Sequence, residues 1–117
     1  MLMRIAATFV LVVFAATANA QDLASGAMIQ SAISGNTVRG AMDASGGYEE
    51  FYDSDGTIKG ADYSGQWSVR GDRMCFVYDG NPASCWAARL DGTSIIWVGS
   101  TGDEGTGQIL PGNPRGY

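Results

Sequence analysis

From Thr37 to Leu110 no helical period survives along the chain. Apolar and aromatic residues come in short runs that break at Gly, Asp, Asn or Pro every six to eleven residues. The runs are rich in Val, Ile, Tyr, Phe, Trp and Thr, the side chains that pack well on a pleated surface. They predict strands near 37–42, 48–53, 57–63, 65–70, 73–78, 84–90, 94–98 and 105–110. Short, evenly spaced strands with tight turns point to an all-β fold, a seven- to eight-stranded antiparallel meander that closes into a small barrel. Gly makes up 17 of the 117 residues, which in this setting marks turns, bulges and curvature. One segment upstream reads differently. Asp22 can cap a helix from about Leu23 to Ile33, with Met28, Ile29, Ala32 and Ile33 on one apolar stripe and Gly35 as a left-handed stop. Past Pro111 the chain reads as a loose tail.

Two hairpins can be argued residue by residue. In "YEEFYDSDGTIKG" a four-residue loop, Asp53 to Gly56, pairs Phe51 with Ile58 and Glu50 with Lys59. That register matches apolar with apolar and acid with base, so it is preferred to a two-residue Asp-Gly turn. In "GDRMCFVYDGNPASCW" a bridge between Cys75 and Cys85 centres the turn on Gly80-Asn81-Pro82. Val77 and Ala87 then share the disulfide's face. Met74, Phe76, Tyr78, Trp86, Ala88 and Leu90 share the other, more apolar face, which is expected to be the core.

The start of the chain stands apart from this pattern. Met1 to Arg4 are basic and short, Ile5 to Ala16 are apolar, and Ala18-Asn19-Ala20 matches an A-x-A cleavage site. This is the layout of a secretory signal peptide with cleavage after Ala20. The apolar run is too short for a membrane anchor. The organisation read from the sequence is a leader over 1–20, a short helix and linker over 21–36, a β domain over 37–110 and a tail over 111–117. Export places the protein in the periplasm or outside the cell.

An oxidising compartment changes the meaning of the two cysteines. There is no C-x-x-C, and with no histidine in the chain two thiolates do not complete a zinc site. A Cys75–Cys85 disulfide is the reading that remains, and closing a loop of this size stabilises by about 2–3 kcal/mol. Charge narrows the partners. Without Arg4 the chain holds six basic residues against twelve acidic ones. The basic residues are scattered, so nucleic acid is not an expected partner.

Few residues carry chemistry. Asp53-x-Asp55-Gly56 resembles part of a calcium loop, but an EF-hand aligned on Gly56 would put Phe51 at its first ligand position. Turn chemistry accounts for the motif, and no metal site is assigned. Arg70-Gly71-Asp72 spells an adhesive tripeptide where a hairpin turn is needed anyway. Glu49, Glu50 and Asp62 are the carboxylates available for acid–base work. Glu49 and Glu50 are adjacent on a strand and face opposite ways, so they form no pair, and one of them faces inward. An inward carboxylate in a barrel meets an Arg or a Tyr, or stays near the mouth. No serine or cysteine has a histidine to activate it. No catalytic residue and no cofactor is assigned. The aromatics are the most suggestive group, and core packing alone would account for most of them. If the barrel is hollow, Tyr48, Tyr52, Tyr63, Trp67 and Trp97 are the residues expected to line a ligand site.

Gly65-Gln66-Trp67, followed by "SVRGDRM", is similar to the G-x-W strand of lipocalin-like proteins, although here it sits in mid-chain. In that family the glycine lets the chain enter the barrel and the tryptophan plugs one end. The wider pattern runs from "SGNTVRG" through "YEEFYDSDGTIKG" and "GQWSVRGDRMCFVY" to a later Cys and "IIW". It resembles small exported proteobacterial proteins of unknown function, from Ser34 to about Trp97. The resemblance implies a lipocalin-like antiparallel fold and a disulfide, and no reaction. Two functions are expected from this. One is a non-catalytic binding module for a small apolar or aromatic ligand. The other is an interaction module for an envelope protein, such as an inhibitor of a cationic wall-lytic enzyme. Small periplasmic barrels that inhibit lysozyme are broadly similar, and Ser45-Gly46-Gly47-Tyr48 hints at their serine-glycine-tyrosine loop. A cavity of about 300 Å³ or more favours a ligand, and a filled barrel favours a protein partner.

Overall fold

The computed structural model describes Thr8, Val10 and residues 22–117. Apart from Thr8 and Val10, the leader expected over residues 1–20 lies outside the described residues. One helix precedes eight strands: α1 (Gly26–Ile33), β1 (Asn36–Met42), β2 (Gly46–Tyr52), β3 (Thr57–Lys59), β4 (Ser64–Arg70), β5 (Arg73–Val77), β6 (Ser84–Asp91), β7 (Ser94–Gly99) and β8 (Gly102–Pro111). Each strand pairs antiparallel with the next. β8 returns to β1, from Asn36↔Pro111 to Met42↔Gly105, and closes the barrel. A closed sheet has no free edge to template another chain. The fold is the all-β meander that the strand pattern predicts, and it is compatible with a lipocalin-like barrel.

The core follows from alternation. Val38, Tyr52, Ile58, Trp67, Met74, Phe76, Ala88, Ile95 and Trp97 are buried in one cluster, joined by Ile29 and Ile33 of the helix. α1 packs against β1, β4 and β5. It starts later than expected. Ser25, not Asp22, is the N-cap, its side chain accepting from the Met28 N–H at 3.2 Å. The chain before it is extended, and the Ala24 N–H donates to the Ala88 carbonyl at 2.7 Å. Asp72 supplies a second cap from the β4–β5 turn, its Oδ1 accepting from the Gly26 N–H at 2.8 Å. The acid of the Arg-Gly-Asp tripeptide is therefore engaged within the fold.

The β2–β3 hairpin departs from the expected register. Tyr52 pairs with Ile58 and Phe51 with Lys59. The loop has three residues between Asp53 and Thr57, ending in Gly56 at φ +93°. A turn closed by a left-handed glycine accounts for the odd loop length. The slip puts the Tyr52 ring inside, while Phe51 lies outside beneath the Lys59 ammonium, 6.0 Å from its ring centre. Lys59 pairs with Asp53 at 3.2 Å instead of Glu50.

The cysteine hairpin has the expected register. Cys75 faces Cys85 directly, with Met74↔Trp86 and Phe76↔Ser84 on either side. The disulfide is formed, with its Cα atoms 4.0 Å apart. The tail is not loose. Thr37 Oγ1 donates to the Gly112 carbonyl at 2.8 Å, the Gly112 N–H donates to Asn36 Oδ1 at 3.1 Å, and Arg115 Nε meets Glu49 Oε1 at 2.8 Å.

Candidate functional site: an aromatic cup around Glu50

The two ends of the barrel differ. At one end lie α1 and the β2–β3 and β4–β5 turns. Trp67 closes this end from inside. It is 6% exposed, and its Nε1 donates to the Asp53 carbonyl at 2.8 Å. Gly65, two residues earlier, lies against the Tyr78 ring, where a Cβ would come within 2.7 Å.

At the other end the interior opens into a cup of about 220 Å³, lined by Met42, Ser45, Tyr48, Glu50, Tyr52, Phe76, Tyr78, Ser84, Trp86 and Trp97. β2 supplies three of these at alternate positions, Tyr48, Glu50 and Tyr52, because residues two apart on a strand share a face. β5, β6 and β7 supply Phe76, Trp86 and Trp97 across from them. Edge-on ring contacts connect the plug to the cup. Tyr52 meets Trp67 at 6.2 Å and Phe76 at 6.1 Å, and Phe76 meets Trp86 at 5.6 Å and Trp97 at 5.4 Å. Such T-shaped pairs fix ring positions as well as burying area.

Glu50 is the charged residue of the cup. It is 5% exposed. Its carboxylate accepts from the Tyr52 hydroxyl at 3.0 Å and from the Tyr78 hydroxyl, which lies 3.0 Å from Oε1 and 2.8 Å from Oε2. Among the described residues the ion pairs are Lys59–Asp53, Arg89–Asp103 and Arg115–Glu49, and none involves Glu50. Burial raises the pKa values of Tyr48, Tyr52 and Tyr78 above the ordinary value for a phenol. The negative charge of Glu50 pushes all three further the same way, so the phenols stay protonated as donors.

The ring polar groups are engaged inside the protein. Trp97 Nε1 donates to the Tyr48 hydroxyl at 2.8 Å, which in turn lies 3.0 Å from the Thr106 carbonyl. Trp86 Nε1 donates to Glu104 Oε2 at 3.0 Å. Gly107 makes room for this arrangement, because a Cβ there would lie 2.7 Å from the Tyr48 hydroxyl and 2.5 Å from Val38 Cγ1.

Of the five residues expected at a ligand site, the structure brings Tyr48, Tyr52 and Trp97 together on the cup. Trp67 belongs to the opposite end. Tyr63 lies on the β3–β4 turn, 41% exposed, with its ring 6.1 Å from that of Tyr78 and its hydroxyl hydrogen-bonded to Glu50. Glu50, Tyr78 and Trp86 were not among the five, and alternation could have found them. Once Tyr48 and Tyr52 are placed inward, Glu50 between them must face inward too, and Tyr78 and Trp86 share the core face of the cysteine hairpin. Among the described residues no group of three or more His, Cys, Asp or Glu is arranged to hold a metal ion, and no helix is long and apolar enough to cross a membrane. Compared with protein-family models, curated proteins and solved structures, the chain finds no match.

Proposed function

We propose that the protein is an exported, periplasmic, non-catalytic binding module and that the cup is its binding site. The observation that carries this reading is the asymmetry of the barrel. One end is plugged by Trp67 and covered by α1, while the other holds an aromatic cup of about 220 Å³. Concave, mostly apolar sites with a few convergent polar groups are the usual form of small-ligand sites. At about 220 Å³ it falls below the ~300 Å³ expected of a cavity for a whole ligand, so it suits a very small molecule or the end group of a larger one. Native mass spectrometry of protein purified from periplasm tests the reading, with tryptophan fluorescence as a second readout. A co-purified small molecule that shifts the emission, with the shift lost in Trp86→Leu, is the expected result. A protein that carries no ligand, and whose emission responds to no member of a diverse fragment set, would count against it.

A second reading has one observation in its favour. Ser45 and Tyr48, from the serine-glycine-tyrosine stretch, both line the mouth. They would meet a protein inserted there, as in inhibition of a cationic wall-lytic enzyme.

A further inference from the structure

Resting on the cup as a binding site, we infer that the group it takes is a cation: an alkylammonium head, primary or quaternary. A donor and acceptor inventory supports this. Glu50 has about four acceptor positions when ionised, and the Tyr52, Tyr78 and Tyr63 hydroxyls hydrogen-bond to it. What it still offers a ligand is a negative charge with no countercharge. The ring donors around it are already engaged. Trp97 donates to Tyr48, Trp86 donates to Glu104, and Tyr52 and Tyr78 donate to Glu50. Apart from the rim hydroxyls of Ser45 and Ser84 and the Met42 thioether, the cup offers a ligand only aromatic carbon and a carboxylate.

That combination discriminates by charge. An anion would meet Glu50 with no cation to offset it. A neutral apolar ligand would seal the carboxylate away from water without giving it a countercharge, which is costly. An ammonium is drawn both to the ring faces and to the carboxylate. It also supplies the charge partner that Glu50 lacks among the described ion pairs. The rings are held by hydrogen bonds and edge contacts before any ligand arrives, so little ordering remains to be done on binding.

Calorimetric titration of the full, disulfide-bonded protein tests this with matched probes. The probes are choline, its neutral isostere 3,3-dimethyl-1-butanol, n-butylamine, and a short lysine peptide with its acetyl-lysine counterpart. Choline or butylamine should bind at least about tenfold more tightly than the neutral isostere. Glu50→Gln should remove that advantage, weakening choline and tightening the isostere, whose binding then no longer buries an unpaired charge. If the lysine peptide binds while the free amines and the acetylated peptide do not, the ammonium belongs to a protein partner and the charge reading stands. Equal affinity for choline and its isostere in the wild-type protein would overturn the inference while leaving the cup as a binding site. No response to any probe would overturn both. The wild-type comparison decides even if Glu50→Gln fails to fold, which circular dichroism would reveal.

Discussion

The two ends of this barrel are built from the same residue types and do opposite things. Each has a buried tryptophan hydrogen-bonded through its indole N–H, Trp67 to the Asp53 carbonyl at one end and Trp97 to the Tyr48 hydroxyl at the other. At the Trp67 end the acceptor is backbone, and a helix with Ile29 and Ile33 fully buried lies over the opening. At the Trp97 end the acceptor is the Tyr48 side chain, itself bonded to the Thr106 carbonyl, beside a carboxylate held by the Tyr52 and Tyr78 hydroxyls. One end is finished as core. The other is finished as a polar network with an aromatic wall, which rigidifies the mouth and defines its shape.

The sharpest way to break this contrast is to truncate the plug. Trp67→Ala should cost about 3–5 kcal/mol, because a large buried ring leaves a cavity. The same change at the half-buried Trp86 should cost distinctly less. Chemical denaturation reads both, and a loss below about 1 kcal/mol at Trp67 would show that the plugged end is not core. Next in size is the staple on the barrel wall. Replacing Cys75 and Cys85 by serine should lower stability by about 2–3 kcal/mol, and alkylation of the unreduced protein should find no free thiol.

Alkali should act on the mouth first. Tyr52 and its neighbours are held above the ordinary tyrosine range by burial and then by the charge of Glu50. The folded protein therefore keeps protons that the unfolded chain releases above about pH 10. Stability should be intact below that point and decline above it, by up to about 1.4 kcal/mol per pH unit for the fully buried Tyr52. Absorbance at the tyrosinate band, followed with circular dichroism, checks whether ionisation waits for unfolding. The smallest effect belongs to Glu50→Gln, which should move stability by less than about 1 kcal/mol, because relief of an unpaired buried charge offsets the weaker hydrogen bonds that an amide oxygen accepts from the phenols. A large loss there would mean that the carboxylate holds the mouth together rather than serving a ligand.

Much of this was legible along the chain. Glycine and aspartate mark the turns, β-branched and aromatic runs mark the strands, and the spacing of Cys75 and Cys85 fixes the register of their hairpin. The β2–β3 register was not legible. A four-residue loop satisfied local pairing, whereas the actual loop is set by burial of the Tyr52 ring against Trp67 and Phe76, contacts distant in sequence. The helix start was missed because Ser25 and Asp22 are both good caps. The choice depends on Asp72, which reaches Gly26 from 46 residues away. The cup itself rests on alternation within β2 and on which end of the barrel the helix covers. Only the first of these can be read locally.

Seven of the eight strand pairings join neighbours in sequence, and only β1 with β8 brings distant segments together. Thr37 and Gly112, bonded at that seam, are 75 residues apart, against 10 for the disulfide. Closing the longer span costs about 2 kcal/mol more in loop entropy. The chain can therefore form a curled ribbon of hairpins quickly, but it becomes a barrel only when the seam shuts. Once shut, the seam holds seven register pairs against two between β2 and β3, so β3 amides should exchange with solvent ahead of those in β1 and β8. The C-terminal residues, hydrogen-bonded to Asn36 and Thr37, act as a latch on the closed seam.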